Sequence, residues 1–391
     1  MLKILFVLPS MRAGGTATSL LNLMQLMQED GVDADLFLLE HDGIFLERAK
    51  EMGRLLPEAP DIAATICKKQ RLKAYGVKGL LIRGRYVIRH RVCGAEQAIE
   101  QVMKHSARAL SGRYDVVIAY QEQLTTRYVR YIQAKRRIAW VHVDYNSFQA
   151  MQSIDYWKHL YDAFDEIACV SKVAKDSIES NLGIDSSKTH VIYNTIPSRS
   201  ICSRSKMPSP LQVKNSAFKF ISMGRMVRIK GFDRVIHTAI ALKRENIDFV
   251  WYILGEGEEK SRLQKMIAEN QLEDRVFLPG VFENPFPIVS QCDCFVMSSV
   301  NEAQPMVLNE ALTLHIPVIT TDFPSSREVV ESEVFGLITE NSEQGLLNAV
   351  QRFIREPLLR EKLKRGAMEF EYNNQKTLAQ VYNIMGLSED K

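Results

Sequence analysis

Short apolar runs alternate with amphipathic stretches along almost the whole chain. Uninterrupted apolar runs are typical of strands buried on both faces, and stretches with helical spacing are typical of helices packed on such a sheet. The pattern therefore predicts an α/β protein with parallel sheets flanked by helices in both halves. Strands are expected at residues 3–8, 35–39, 116–119, 137–142, 166–170 and 190–193, and again at 218–223, 248–254, 275–277, 294–297, 317–320 and 336–338.

A change of composition divides the two halves. Ser, Pro and Lys dominate residues 197–217, where the apolar rhythm stops. The chain of 391 residues is long enough for two domains. We predict a first domain at 1–196, a linker at 197–217, a second domain at 218–370 and a C-terminal helix at 371–391. Further helices are expected at 18–29, 172–181, 232–245, 258–269, 306–314 and 346–356.

Composition adds little except a local excess of positive charge. Hydrophobic content of 46% and charged content of 25% are ordinary for a soluble globular protein. No apolar run is long enough to span a bilayer. Residues 62–95 contain nine Lys or Arg and no Asp or Glu, although the net charge is only +3. Such a segment favours an anionic membrane surface, with a solvated, charged excursion of the first domain as the alternative. Nucleic acid is less favoured because the charges are not organised around stacking aromatics.

Gly14 and Gly15 follow the first predicted strand and precede a helix. A glycine pair at this place lets a phosphate approach the backbone and the free N–H groups of the helix start. A plain strand–helix turn is the alternative, since glycine often supplies unusual dihedral angles there. The pattern is neither a dinucleotide-binding fingerprint nor a Walker loop.

Two cations follow the first strand of the second domain. Arg225 comes directly after the strand and Lys230 directly before the next helix. A planar guanidinium and an ammonium held across one loop can grip a diphosphate from two sides. The alternative is a pair of solvated loop charges.

Two carboxylates frame a later strand-to-helix loop. Glu302 lies in the loop and Glu310 in the first turns of the helix. Either one alone fits a helix cap or a carboxylate favoured by the helix dipole. Together they can address one bound ligand.

His142 lies just past the end of an apolar strand, and Asp144 follows it. Ligand sites of parallel sheets lie at the carboxyl ends of the strands, so His142 is a candidate site residue. A histidine satisfied by backbone groups is the alternative. Asp144 could orient His142 or accept a proton from an acceptor hydroxyl.

Taken together, these motifs resemble the family 4 (group 1) retaining glycosyltransferases, and bacterial capsular and exopolysaccharide enzymes in particular. The Gly-Arg-x4-Lys-Gly-x-Asp pattern at 224–233 and the Glu-x7-Glu spacing at 302–310 carry the resemblance, which is loose in residues 1–195. It implies the GT-B fold: two facing Rossmann-like domains with a C-terminal helix crossing back to the first.

The resemblance implies roles for most of these residues. Arg225 and Lys230 would stabilise the leaving diphosphate, Glu302 would face the transferred sugar, and Glu310 would hold the donor ribose. His142 would lie near O6 of the sugar.

The remaining donor contacts are implied in the same way. Gly255 would lie beside the nucleotide and Val281 beside its base, with Gly14 and Gly15 lining the donor site. The N–H groups of Met306, Val307 and Leu308, at a helix N-terminus, would meet the phosphates. Two departures from the family pattern are Ala17, where a Glu is usual, and Ala303, where a Gly is usual.

The implied activity is retaining transfer of a hexose or N-acetylhexosamine from a nucleotide sugar to a lipid-linked or polysaccharide acceptor, and a UDP-sugar is the expected donor. No cofactor and no metal are expected, since Asp33 and Asp35 lie in a turn away from the strand ends. The expected location is the cytoplasm, on the inner face of the cell membrane. A UDP-sugar 2-epimerase and a catalytically silent sugar-nucleotide-binding or scaffold protein are the alternatives.

Overall fold

The computed structural model describes residues 2–66, 72, 75–143, 145 and 153–387. The chain divides into two compact units. The first comprises Met1–Thr195 and Gln375–Lys391, and the second comprises Ile196–Asn374. Each unit contains one parallel sheet with helices packed on it, so the predicted fold class is confirmed.

The strands of both sheets match the apolar runs closely. In the first unit they are β1 (Ile4–Leu8), β2 (Asp35–Leu38), β3 (Arg54–Leu55), β4 (Val116–Ala119), β5 (Arg136–Val141), β6 (Glu166–Cys169) and β7 (Thr189–Val191). In the second unit they are β8 (Phe218–Met223), β9 (Phe249–Leu254), β10 (Val276–Gly280), β11 (Cys294–Met297), β12 (Val318–Thr321) and β13 (Gly336–Thr339).

The helices that the structure describes cover the sheets. They are α1 (Gly15–Glu29), α2 (Leu46–Glu51), α3 (Pro60–Ile66), α4 (Gly76–Cys93), α5 (Ala95–Ala107), α6 (Leu124–Val129), α7 (Ile154–Tyr161), α8 (Lys172–Leu182), α9 (Ser198–Ser205), α10 (Phe232–Arg244), α11 (Lys260–Glu269), α12 (Phe286–Val289), α13 (Met306–Thr313), α14 (Glu343–Arg355), α15 (Pro357–Met368) and α16 (Asn374–Met385).

Both sheets reverse their strand order beside their first strand. The first runs β3-β2-β1-β4-β5-β6-β7 and the second β10-β9-β8-β11-β12-β13. Phe6 in β1 pairs with Leu36 on one side and Ile118 on the other. Ligands of such sheets bind where the order reverses, at the carboxyl ends of the strands. The loops after β1 and β4, and after β8 and β11, are therefore the places to look for a site.

The predicted linker differs from what the structure shows. Part of residues 197–217 forms α9, which belongs to the second unit. Ile201 on this helix is buried and packs with Phe286 and Met306. The Ser-rich composition predicts a loop, but one apolar side chain with a complementary pocket is enough to fix the helix on its unit.

The last helix returns to the first unit. Val381, Ile384 and Met385 on α16 are buried there. The hydroxyl of Tyr382 donates to Asp30 Oδ2 (2.7 Å), and Arg136 Nη1 donates to the carbonyl oxygen of residue 384 (2.8 Å). The apolar face that the sequence shows near its end thus has its hydrophobic partner in the first unit. Of the helices in the described ranges, none is long and apolar enough to cross a membrane.

Candidate active site

The loops that follow β8 and β9 pack backbone against backbone. Met226 N–H donates to the carbonyl oxygen of Glu256 (2.8 Å). A β-carbon at Gly255 would lie 1.9 Å from the carbonyl oxygen of Gly224, and one at Gly257 would lie 2.2 Å from that of Met226. Only glycine permits these approaches, so both glycines shape the loop that carries the cations.

The loop after β8 presents two cations in different ways. Arg225 is exposed beside the end of the strand. Residues Arg228–Lys230 form a turn of 3-10 helix, and the Lys230 side chain is only 19% exposed. Lys230 is therefore held by the protein, whereas Arg225 points into solvent, where an anion could meet it.

Lys230 and Glu302 form an ion pair across the switch point of the second sheet. The Ser299 hydroxyl donates to the same Glu302 oxygen, Oε1 (2.8 Å). The Ser298 hydroxyl donates to the carbonyl oxygen of Lys230 (2.8 Å). The N–H of Val300 donates to the carbonyl oxygen of Ile229 (2.8 Å). The fold thus joins two of the predicted site residues and locks their loops together.

Glu310 is buried on α13, with 5% of its surface exposed. The side chains of Met306 and Leu308 in the same helix pack into the core, so these two residues can offer a ligand only backbone groups. The N–H of Leu308 already donates to the carbonyl oxygen of Pro305 (3.2 Å). Of the three predicted phosphate contacts, those of Met306 and Val307 fit better than that of Leu308.

Arg204 on α9 is a cation that the sequence reasoning missed, because it lies in the stretch interpreted as a linker. Its guanidinium lies 4.8 Å from the centre of the Phe286 ring and donates to the carbonyl oxygen of Glu283 (2.8 Å). Burial lowers the pKa of Arg204, and the attraction of the Glu310 carboxylate opposes that shift. Arg204 therefore adds positive charge on the Glu310 side of the site.

The turn expected to hold the nucleotide base joins this cluster through its backbone. Gly255 N–H donates to the carbonyl oxygen of Gly280, the last residue of β10 (2.8 Å). Val281 follows and is 41% exposed. An exposed apolar side chain beside the β8 and β9 loops is suited to contact a flat ring.

The glycine loop of the first unit is open. A β-carbon at Gly14 or Gly15 would touch no atom of the described residues within 4 Å, so their packing does not demand glycine there. The loop is fixed instead by Arg12, which pairs with Glu40 (2.9 Å) and Asp42 (2.6 Å). This fits a loop kept free of side chains for a ligand.

The position of Ala17 also bears on the glycine loop. Ala17, at the place of the family Glu, is buried on α1. An acceptor contact like that of the family Glu is therefore absent from this position.

His142 lies immediately after β5. Burial lowers the pKa of His142 to about 3, so the ring is neutral. One ring nitrogen bonds the backbone of Tyr120, while Nε2 is buried without a hydrogen-bond partner among the described residues. Nδ1 therefore carries the proton and Nε2 the free lone pair. Asp144 lies outside the described residues.

Glu122, which follows β4, was also missed from the sequence. It is 6% exposed, and burial raises its pKa to about 7. Its Oε1 accepts hydrogen bonds from the backbone N–H groups of His142 and Val143, the latter at 2.9 Å. A lone Glu in a loop carries no signal in a single sequence, so only the fold shows its place beside His142.

A buried group of hydrogen-bonded side chains lies next to His142. Ser19 on α1 donates to Asn194 Oδ1 (2.5 Å) and bonds the hydroxyl of Tyr120 (2.8 Å). Asn194, which resembles the family residue at the domain junction, is thereby tied to α1 and to the segment after β4.

Of the two aspartates Asp33 and Asp35, Asp35 has a structural role. That carboxylate pairs with Arg54 and accepts a hydrogen bond from the Tyr114 hydroxyl (2.7 Å). Burial and the nearby Asp35 raise the pKa of Tyr114 to about 12. Throughout the described ranges, no group of three or more His, Cys, Asp or Glu side chains could hold a metal ion.

Models of two glycosyltransferase families match the chain. The model described as "Glycosyltransferase Family 4" matches residues 13–199, and that described as "Glycosyl transferases group 1" matches residues 203–370. Together they cover most of both units.

Curated proteins give similar relatives. An uncharacterized glycosyltransferase of Methanocaldococcus jannaschii is 32% identical over 46% of this chain and 45% of its own length. The N-acetylgalactosamine-N,N'-diacetylbacillosaminyl-diphospho-undecaprenol 4-alpha-N-acetylgalactosaminyltransferase of Campylobacter jejuni is 29% identical over 63% of this chain and 64% of its own length. In both cases the chain spans less than two thirds of the relative.

Solved structures share the fold over nearly the whole chain. Anabaena HepE in complex with UDP and glucose has a TM-score of 0.74 at 18% identity, covering 99% of this chain and 100% of its own. A variant of TarM from S. aureus, in complex with Fondaparinux, alpha-GlcNAc-glycerol and UDP, has a TM-score of 0.73 at 14% identity, covering 98% and 100%. These likenesses confirm the predicted GT-B fold.

Proposed function

We propose, because the chain belongs to the family 4 (group 1) glycosyltransferases, that it moves a hexose or N-acetylhexosamine from a UDP-sugar to a lipid-linked or polysaccharide acceptor, with retention of configuration. The observation that carries the proposal is the ion pair of Lys230 with Glu302, which joins the loop after β8, where Arg225 lies, to the loop between β11 and the helix of Glu310. The diphospho-undecaprenol acceptor in the name of the Campylobacter jejuni relative supports the acceptor class, and the UDP in the HepE and TarM structures supports the donor class.

The Lys230–Glu302 ion pair suggests how the donor engages. A diphosphate is a stronger partner for Lys230 than one carboxylate, and Arg225 is exposed to meet it from the other side. When Lys230 turns to the diphosphate, Glu302 is left to accept hydrogen bonds from the sugar hydroxyls. Ser299, which donates to Glu302, keeps that carboxylate in place during the exchange.

The same cations account for the chemistry. Negative charge grows on the diphosphate as the bond from the sugar breaks, and fixed cations stabilise it in the transition state. The acceptor hydroxyl attacks the face from which the diphosphate departs, through an oxocarbenium-like state. Arg225 and Lys230 take the place of a metal, so transfer continues in EDTA.

The proposal predicts a membrane surface as partner, through α4. At 3.6 residues per turn, Val77, Leu81, Ile88 and Val92 occupy an arc of about 60°. Their exposed fractions are 73%, 60%, 64% and 82%. A helix with so much apolar surface in solvent is typical of one that lies in a bilayer interface.

The charges of α4 fit that orientation. Lys78, Arg85 and Arg89 are exposed and occupy the adjoining arc. Each basic residue near an anionic surface adds about 1 kcal/mol of binding free energy. Arg83 lies on the opposite side of the helix, where it turns inward and donates to the carbonyl oxygens of Ala64 and Thr65 at the end of α3.

Transfer of radiolabel from a panel of UDP-sugars to membrane extracts tests the activity. We expect one donor to be consumed and the anomeric configuration to be kept, with transfer lost in Lys230→Ala and Glu302→Ala. If donors are bound but never transferred, the protein is a silent binding protein. If none is bound, the proposed function is wrong.

Liposome pelleting tests the membrane partner. We expect the protein to bind vesicles of phosphatidylcholine with phosphatidylglycerol. The bound fraction should decrease as salt is added and should be lower on vesicles of pure phosphatidylcholine. Leu81→Glu with Ile88→Glu should reduce the bound fraction. Leu358→Glu, at an apolar residue 88% exposed in the second unit, is the matched control and should leave it unchanged. Equal binding to both vesicle types would contradict the membrane partner.

A further inference from the structure

Glu122 occupies the switch point of the first sheet, directly after β4. The pairing of β5 with β4 ends at Ala139, and its pairing with β6 ends at Val141. The next two N–H groups, of His142 and Val143, therefore have no strand to bond. Buried N–H groups need an acceptor, and Glu122 Oε1 supplies one for both.

The ring of His142 is fixed from a second direction. Its Nδ1–H bonds the backbone of Tyr120, whose own ring centre lies 4.9 Å away. Backbone and ring are thus both held, and the lone pair of Nε2 has no hydrogen-bond partner among the residues that the structure describes. A neutral imidazole in this tautomer accepts a hydrogen bond and cannot act as a cation.

We infer that Glu122 is a positioning residue, which clamps the backbone of His142 so that Nε2 accepts a hydrogen bond from a sugar hydroxyl of the substrate. The inference rests on the proposed function, because it assumes that the ligand at His142 is a sugar. It assigns to Glu122 no contact with the substrate.

The charge of the clamp changes near neutral pH. Burial raises the pKa of Glu122 to about 7. Burial also raises the pKa values of Tyr161 on α7 and Cys169 on β6 well above neutrality, while His142 stays neutral. Of these groups, Glu122 alone titrates between pH 6 and 8. A carboxylate holds an N–H more strongly than a neutral acid does, so the clamp tightens as the pH rises.

A double-mutant cycle separates positioning from general stability. Glu122→Ala should lower transfer about tenfold or more, as the loss of placement by an ångström does. In a His142→Ala background the same change should cost less than twofold, because Glu122 acts through His142. Ser106→Ala, which removes a buried hydroxyl bonded to Tyr128 elsewhere in the first unit, is the control for a lost buried hydrogen bond. Equal losses in both backgrounds, or a loss no larger than that of Ser106→Ala, would overturn the inference.

The pH profile gives a readout that a purely structural role would not move. We expect wild-type transfer to rise severalfold between pH 6 and 8, and Glu122→Gln to lie at the lower level without that rise. A rise of the same size in Glu122→Gln would overturn the role of the carboxylate.

Nuclear magnetic resonance tests the clamp without turnover. The backbone amide proton of His142 should shift with an apparent pKa near 7 in the wild type and stay constant in Glu122→Gln. If that proton titrates but no sugar nucleotide is used, the proposed function is wrong and the clamp stands. If it does not move between pH 6 and 8, the clamp itself is refuted.

Discussion

Glu122→Gln should make the first unit more stable at alkaline pH. The pKa of Glu122 is about 7 in the folded chain, against an ordinary value of 4.5. An acid whose pKa is raised on folding contributes full stability below its unfolded pKa and loses it as the pH rises through the folded value. Between pH 5 and 8 this loss amounts to about 2.5 kcal/mol, since each pKa unit is worth about 1.4 kcal/mol.

The variant removes the charge but keeps an oxygen that can accept both N–H groups. We therefore expect Glu122→Gln to be about 2 kcal/mol more stable than wild type at pH 8 and nearly equal at pH 5, after allowance for weaker hydrogen bonds to a neutral acceptor. The same variant should transfer sugar more slowly. Stability and activity then change in opposite directions, as expected where a buried functional group lowers stability.

Urea unfolding at pH 5 and pH 8 measures both values. Trp140 and Trp157 are buried in the first unit, so a Trp251→Phe background confines the fluorescence signal to that unit. Glu47→Gln, at a side chain 78% exposed, is the matched control and should show no pH-dependent gain. If the free energy of unfolding of Glu122→Gln at pH 8 is lower than that of its parent, burial of the charged Glu122 does not destabilise the fold, and the reasoning is refuted.

Three further variants test other parts of the account. Lys230→Met should lower transfer by about two to three orders of magnitude, as removal of one transition-state contact does; unchanged transfer would remove Lys230 from the site. Gly257→Ala should destabilise the second unit by 2 kcal/mol or more in urea unfolding, because its β-carbon meets a carbonyl oxygen at 2.2 Å; an unchanged midpoint would contradict the backbone packing. Ser19→Ala should cost about 1–3 kcal/mol by removing the buried hydrogen bonds from Ser19 to Tyr120 and Asn194, and a neutral effect in the same assay would show that these bonds do not stabilise the first unit.

Much of the fold follows from local pattern. Buried parallel strands are nearly continuous apolar runs, so residues 218–223 and 294–297 could be placed to the residue. The two-residue strand β3 is too short to show a pattern. The helix α9 could not be predicted because its Ser-rich composition is typical of a loop.

Some residues of the candidate site could be predicted from the sequence, and others could be recognised only in the fold. Arg225, Lys230, Glu302 and Glu310 could be found because their spacing is a motif, and the ion pair of Lys230 with Glu302 follows from two loops that the sheet brings together. Glu122 and Arg204 could not be found, because their importance lies in burial and in partners distant along the chain.

Titration of the purified protein with UDP in the presence of EDTA tests the central claim most directly. We predict saturable binding of UDP that is unaffected by the chelator and strongly weakened in Lys230→Met and Arg225→Met, with Arg228→Met as the exposed-cation control. Absence of UDP binding, or equal binding by all three variants and wild type, would contradict the assignment of this site to the nucleotide.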